Sequence, residues 1–125
     1  MDSTPRKLPD TELEVMQAVW QCEPPSARGD IEAILKDTHP MAATTLLTLL
    51  SRLADKGFVR VEKQGRSSVY YPLVTQKEYL GAQGRRFFSQ LCGGSVSTFA
   101  NALCDSGLSE EDIAQLREIL ERRKI

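Results

Sequence analysis

Small hydroxyl side chains cluster on one face of a predicted helix over residues 43–56, where they could contact nucleic acid. The opposite face carries leucines at positions i, i+3, i+4 and i+7 from Leu46, which predicts that it is buried. Hydroxyl groups reach phosphates and base edges, and apolar groups contact the thymine methyl. The alternative interpretation is that the threonines merely cover a solvent-exposed face. The candidate DNA-contacting residues of this helix are Thr44, Thr45, Leu47, Thr48, Ser51 and Arg52.

A predicted β-hairpin with a basic tip follows this helix. A strand-like alternation of side-chain types predicts strands over 58–63 and 68–74, joined by a turn over 64–67. Arg66 in the turn, with Lys63 and Arg60 behind it, suits phosphates or the adjacent minor groove. Residues 38–74 contain five basic and two acidic side chains, a net charge of +3, although the 125-residue chain carries −1. Basic charge is therefore concentrated where DNA contact is expected.

Residues that could support catalysis or bind a metal are sparse. His39 is the only histidine, which excludes a multi-histidine metal site, and its loop position is typical of a solvated side chain. The sequence contains no GxSxG, no HExxH and no phosphate-binding glycine loop. Cys22, Cys92 and Cys104 form no CxxC motif, so we expect buried thiols, with a redox or metal role as the alternative. We predict neither an enzyme nor a cofactor or metal site.

Two further helices must position the hydroxyl-bearing helix and the hairpin. The first begins at Asp10 or Thr11, where Thr11 and Glu14 form a capping-box pattern, and the proline pair at 24–25 ends it. Ser26 is the predicted N-cap of the second helix. Three helices followed by a hairpin predict a mainly α fold with a small β-hairpin. Residues 1–74 are accordingly interpreted as a winged helix-turn-helix domain.

Residues 75–125 show only helical patterns and are too few to enclose a core of their own. We expect helices near 77–91 and 96–103 and a last helix capped by Ser109. Their apolar stripes are interpreted as a dimerisation region, with packing against the N-terminal domain as the alternative. The predicted dimerisation residues are Leu80, Phe87, Phe88, Leu91, Phe99, Leu103, Ile113, Leu116, Ile119 and Leu120.

The sequence also predicts where the protein resides. No stretch approaches the roughly 18 unbroken apolar residues that a membrane span needs. The first five residues are not followed by the apolar segment of a signal peptide. We therefore expect a cytoplasmic protein without membrane insertion.

Several segments together resemble the penicillinase repressor (BlaI/MecI/CopY) family. The similar segments are LPDTELEVMQAVW at 8–20, TLLTLLSRL at 45–53 running into KGFV at 56–59, and Gly65-Arg66 with Tyr70-Tyr71. The Gly93-Gly94 break and the closing leucine and isoleucine pattern extend the similarity over nearly the whole chain. Members of that family are homodimeric repressors of β-lactam resistance operons or of copper export genes. The resemblance implies that this chain is such a repressor and reads a palindrome of TACA/TGTA type.

The same resemblance implies relief of repression by cleavage in the C-terminal domain, triggered by a membrane-bound metalloprotease sensor. The chain departs from the family pattern at three places. β-Lactam-type members often have lysine and arginine where Thr44 and Leu47 stand, and Asn101-Ala102 occupies the place of their cleaved Asn-Phe bond. The paired CxC motifs of the copper branch are absent from this sequence.

The functional hypothesis is a homodimeric transcriptional repressor that occupies a palindromic operator on double-stranded DNA and is relieved by proteolysis. One alternative is a winged-helix protein–protein adaptor, for which Arg66 and the threonine face would be dispensable. Another is a DNA-binding regulator that senses a small molecule in its helical region.

Overall fold

The computed structural model describes residues 5–123, which form six α-helices and a three-stranded sheet. In chain order the elements are α1 (Asp10–Gln21), β1 (Ser26–Ala27), α2 (Arg28–Thr38), α3 (Ala43–Asp55), β2 (Val59–Gln64), β3 (Ser67–Pro72), α4 (Gln76–Arg86), a π-helical turn (Phe87–Leu91), α5 (Val96–Asp105) and α6 (Glu110–Arg122). The order of α1, α2, α3 and the β2–β3 hairpin is that of a winged helix, as predicted.

The core of this winged helix lies between α1 and α3. Val15 and Val19 of α1 are almost fully buried, and Leu46 and Leu53 of α3 belong to the same apolar cluster. Apolar residues three and four positions apart fall on one side of a helix, so each helix buries one face and exposes the other. The burial of one α3 face leaves its hydroxyl-bearing face toward solvent.

Two capping predictions are wrong. α1 begins at Asp10 after Pro9, and Leu13 N–H donates to the Pro9 carbonyl, so Thr11 lies inside the helix and forms no capping box with Glu14. Ser26 does not cap α2 either, because it lies in β1. Ala27 directly precedes α2, and its N–H donates to the Asp30 carboxylate at 3.0 Å.

The sheet contains one strand that the sequence did not predict. β3 lies in the centre, antiparallel to both neighbours, with β2 on one side and the two-residue β1 on the other. Ser26 is paired with Tyr70, and its hydroxyl donates to the Tyr70 carbonyl. β1 therefore attaches the start of α2 to the hairpin, which we call the wing (residues 59–72).

Glycines allow the two sharp changes of direction around the wing. Gly57, with φ of 80°, follows α3 in the left-handed region that disfavours a side chain. Gly65, with φ of 65°, occupies the first position of the two-residue turn between Gln64 and Ser67, as in a type II′ hairpin. This turn places Arg66 at the tip of the wing.

The first compact unit extends beyond the wing into α4. Tyr79 is buried, its hydroxyl accepts the Leu8 N–H at 2.9 Å, and its ring lies 5.7 Å from that of Trp20. Because these contacts hold the first turns of α4 against the winged helix, the unit ends at Gln83. The compact units thus divide within α4, after Gln83, and the predicted domain boundary between residues 74 and 75 stays a prediction.

The second compact unit begins at Gly84 and has little buried surface of its own. The predicted helix over 77–91 ends as α4 at Arg86 and continues as the π-helical turn, where Phe87 and Phe88 pack edge-on against Phe99. Ser109 caps α6 as predicted, by accepting the Asp112 N–H at 3.1 Å. Within 84–123, Cys92 is the one buried residue. Across residues 5–123, none of the helices is both long and apolar enough to cross a membrane.

Candidate nucleic-acid interface

The outward face of α3 presents the polar residues that the sequence predicted for it. Thr44, Thr45, Thr48, Ser51 and Arg52 are all exposed. Leu47 is 41% exposed among them, whereas the other leucines of α3 are buried. An apolar side chain in this position gains nothing from water but can contact a thymine methyl.

The hydroxyl of Thr48 is already engaged within α3. Its Oγ1 donates to the Thr44 carbonyl at 3.0 Å, the back-bond that threonine often makes in helices. The proton is therefore used within the helix, and the oxygen lone pair and the methyl group remain available. Thr48 is thus better placed to accept a hydrogen bond or contact a methyl group than to donate.

A groove of about 370 Å³ lies beside α3, between the start of α2 and the wing. We call it the wing groove. Leu47 contributes the α3 side, and the only charged side chains among its lining residues within 5–123 are Arg28 and Arg66. The complete lining is Ala27, Arg28, Gly29, Leu47, Arg66, Ser67, Ser68 and Tyr70.

The three predicted cations of the wing do not share one face. Lys63 is paired with Ser68, which lines the wing groove, so Lys63 shares that face of the sheet. Arg60 is paired with Tyr71 on the other face, because successive residues of a strand alternate. There its guanidinium lies 4.3 Å from the Tyr71 ring centre and forms an ion pair with Glu62. Arg60 and Lys63 therefore lie on opposite faces of the wing, and neither lines the wing groove.

Sequence reasoning missed Arg28 as a site residue. This first residue of α2 reaches the wing groove because β1 holds the start of α2 beside β3. Its Nε lies 2.9 Å from Oε1 of Glu32 one turn along the helix. The sequence shows the charge and the i, i+4 spacing of this pair, but the approach to the wing depends on a strand pairing across 44 residues.

The buried Tyr70 connects this groove with the core. Burial raises the pKa of the Tyr70 phenol, and the positive charge of Arg28 partly opposes that increase. Arg28 and Tyr70 line the same groove, which places the guanidinium near the buried phenol. The groove is therefore lined by one arginine from α2, Arg28, and one from the wing, Arg66.

An ion pair beneath α3 fixes the position of this helix. Lys56, immediately after α3, donates through Nζ to Oε1 of Glu12 in α1. The Glu12 side chain is 5% exposed and that of Lys56 is 23% exposed, so the pair is largely shielded from water. It joins the C-terminal end of α3 to α1 on the side away from the hydroxyl face.

A family model described as penicillinase repressor matches residues 8–122. The chain belongs to the penicillinase repressor family. The penicillinase repressor of Bacillus licheniformis is 32% identical over 123 residues, which cover 95% of each chain. The methicillin resistance regulatory protein MecI of Staphylococcus aureus strain N315 is 32% identical over 126 residues, covering 98% of this chain and 100% of MecI.

Solved structures give the same assignment for the winged helix. The solution structure of the DNA-binding domain of the repressor BlaI matches with a TM-score of 0.52 and 32% identity, covering 63% of this chain and 94% of that domain. The resemblance seen in the sequence is thus confirmed. Because the matched relatives are repressors and regulators, the prediction that the chain is not an enzyme is confirmed as well.

In this member of the penicillinase repressor family, α5 and α6 enclose an apolar groove of about 390 Å³. Phe99, Leu103, Ile113, Leu116 and Leu120 line it, and these are five of the predicted dimerisation residues. Outside it, Leu80 is 58% and Leu91 77% exposed, and Phe87 and Ile119 are about one third exposed. Each predicted dimerisation residue thus keeps part of its side chain exposed in the single chain.

The predicted cleavage site lies within α5. Asn101 is exposed and Ala102 is half-buried, and both belong to the helix that runs from Val96 to Asp105. A protease needs an extended backbone, so α5 must open locally before this bond can be cut.

His39 and the three cysteines, which have catalytic or metal-binding potential, do not form a site in the described part of the chain. His39 Nε2 lies 3.4 Å from the Glu14 carboxylate, a pair that joins α1 to the turn before α3. Cys22, Cys92 and Cys104 are half-buried, buried and exposed, so the expectation of buried thiols holds fully for Cys92 alone. Among residues 5–123, no three histidine, cysteine or acidic side chains converge as metal ligands.

Proposed function

We propose that this chain is a cytoplasmic, homodimeric repressor that binds a palindromic operator on double-stranded DNA. The observation that carries the proposal is the continuous surface of α3 hydroxyls, exposed Leu47 and the wing groove with Arg28 and Arg66. α3 matches the size and shape of a major-groove reading helix, and the wing cations suit the flanking phosphates. The likeness to the DNA-binding domain of BlaI supports the same function.

The dimeric state is supported by the apolar surface of the second unit. Side chains such as Leu91 and Leu120 remain exposed, and burying such groups is favourable at about 25 cal/mol per Å² of apolar area. A second copy of the chain presents the same apolar surface, so a two-fold contact would cover both at once. Two related winged helices would then read two inverted half-sites.

We propose further that repression, where proteolysis relieves it, ends by cleavage at Asn101-Ala102 by a membrane-bound metalloprotease sensor. The cut would detach α6 from the dimer and leave the winged helix intact, so the second half-site would lose its high effective concentration. Alanine offers a protease pocket far less apolar surface than phenylalanine, at about 0.8 kcal/mol per methylene-sized group. A sensor that requires phenylalanine is therefore expected to leave this chain intact.

The decisive experiment is a salt titration of binding to a labelled duplex that carries inverted TACA and TGTA half-sites. Each neutralised phosphate should contribute a slope of about −0.9 to log affinity against log salt. Arg66→Ala should weaken binding to all sequences and make the slope shallower by about one unit. Arg60→Ala is the matched control, because Arg60 lies outside the wing groove and its guanidinium contacts Tyr71 and Glu62, and it should leave the slope unchanged.

Two results would contradict the proposal. A slope that is flat for the wild-type protein would exclude phosphate contacts as the source of affinity. Binding of one protomer per complete palindrome, measured by analytical ultracentrifugation, would exclude the homodimeric repressor.

A further inference from the structure

We propose that Arg28 contacts a DNA phosphate and that Glu32 lowers the DNA affinity of the repressor by competing for the Arg28 guanidinium. Arg28 and Glu32 lie one turn apart at the start of α2. The proposal rests on the proposed function, since it assigns a contact and an attenuating residue to the same DNA-binding surface.

The start of α2, helix α3 and the wing together place Arg28 where it can bind a phosphate. It lines the wing groove opposite Arg66, with Leu47 of α3 also in the lining. None of the lining residues within 5–123 is acidic, so two guanidinium groups face this groove without a carboxylate between them. A DNA strand that follows α3 toward the wing would pass both cations, and arginine binds phosphate oxygens with two parallel hydrogen bonds.

Glu32 holds Arg28 from outside the wing groove. It lines a neighbouring groove of about 380 Å³ between α2 and the loop before α3, with Lys36, Pro40 and Met41. The 2.9 Å approach of the two side chains is not aligned as a hydrogen bond, since Glu32 Oε1 makes none with the residues that the structure describes. The contact is therefore mainly Coulombic and leaves the donors of Arg28 open to a better acceptor.

The exposure of the pair makes an exchange of partners feasible. The Arg28 side chain is 50% exposed and that of Glu32 is 39% exposed, and ion pairs this accessible contribute little to stability. Although Oε1 of Glu32, the atom that Arg28 approaches, is itself buried, more than a third of the Glu32 side chain reaches water, so Glu32 can stay hydrated when a phosphate takes over the Arg28 guanidinium. As long as Glu32 is charged, however, it cancels the charge of Arg28 and repels the approaching phosphate.

The test compares three full-length variants, Glu32→Gln, Arg28→Ala and the double variant, by fluorescence anisotropy on the inverted-repeat duplex and on a scrambled duplex. The affinity gained from one additional phosphate contact scales as the molar salt concentration to the power of about −0.9. At about 0.1 M salt, this factor is roughly eightfold. Glu32→Gln should therefore bind both duplexes up to about eightfold more tightly, with a steeper salt slope. Arg28→Ala should bind more weakly than wild type.

The double variant separates competition for Arg28 from a general loss of negative charge. If Glu32 acts through Arg28, the double variant binds like Arg28→Ala and the gain disappears. Glu62→Gln is the matched control, because Glu62 also forms an exposed ion pair with an arginine, but on the other face of the wing. It makes the same change of charge and should not tighten binding.

The possible outcomes distinguish this proposal from the function on which it rests. Salt-dependent binding by the wild type, without tighter binding by Glu32→Gln, would overturn the role of Glu32 and leave the DNA-binding function standing. A gain that persists in the double variant would overturn the competition for Arg28. Failure of the wild type to bind either duplex would overturn the proposed function and this proposal together. Thermal unfolding of each variant should match wild type, since both side chains are exposed.

Discussion

Replacement of Lys56 by methionine would test how firmly α3 is held beneath its DNA-facing surface. The substitution keeps the aliphatic length of the side chain and removes the ammonium group that contacts Glu12. The Glu12 carboxylate would then remain 5% exposed without its partner. Glu12→Gln instead removes the charge and keeps a carbonyl oxygen that can still accept from Lys56.

The expected magnitude follows from the burial of the two groups. Removing one partner of a fully buried ion pair costs about 3–5 kcal/mol, whereas exposed pairs contribute about 0–1 kcal/mol. Glu12 is buried and Lys56 is 23% exposed, so the pair lies between these cases. We expect Lys56→Met to lower the free energy of unfolding by about 2–3 kcal/mol and Glu12→Gln by about 1 kcal/mol.

Urea unfolding of the two single variants and the double variant would measure the coupling. The double variant should be more stable than the sum of the single losses predicts, because it leaves no unpaired charge. Lys63→Met provides a matched control, since Lys63 is an exposed lysine of the wing and should change stability by less than about 0.5 kcal/mol. Additive losses, or a loss from Lys56→Met no larger than from Lys63→Met, would refute the reasoning.

Further predictions concern DNA reading, the cysteines and the attachment of α4. Thr48→Ala should reduce discrimination between operator variants by about 1 kcal/mol, whereas Thr48→Val, which keeps the methyl group, should reduce it less in competition binding. Cys104 should be alkylated first at neutral pH, because it is exposed. Burial and the nearby Asp30 raise the pKa of Cys22 and keep its thiol protonated. Peptide mass spectrometry would measure the order of alkylation. Trp20→Phe should cost about 1 kcal/mol in chemical unfolding, because Trp20 Nε1 donates to a backbone carbonyl. Elemental analysis should find no stoichiometric zinc or copper.

The regular elements of the winged helix could be predicted because each is encoded locally. The leucine spacing of α3 gave its buried face, and the alternation after Gly57 gave the two strands of the wing. Arg60 and Lys63 stand three residues apart, and residues an odd number of positions apart face opposite sides of a strand. The placement of Arg60 and Lys63 on opposite faces was thus predictable from the sequence.

The features that escaped prediction depend on contacts distant in sequence. β1 has two residues, too few for a periodic pattern, and forms only through its pairing with β3. Serine is a residue type that favours the N-cap of a helix, but Ser26 pairs with Tyr70 instead. That pairing brings Arg28 to the wing groove. The burial of Tyr79 requires Trp20 and Leu8, which come from the other end of the first unit.

The attachment of α4 to the winged helix determines where the chain can be divided. A fragment that ends at residue 74 would lose the Tyr79 ring, which packs against Trp20 and Phe58, and the hydroxyl that accepts the Leu8 N–H. A fragment that ends at residue 83 keeps all three contacts and should melt at a distinctly higher temperature. Limited proteolysis should accordingly spare residues 75–83 and release a winged helix that still carries the first turns of α4.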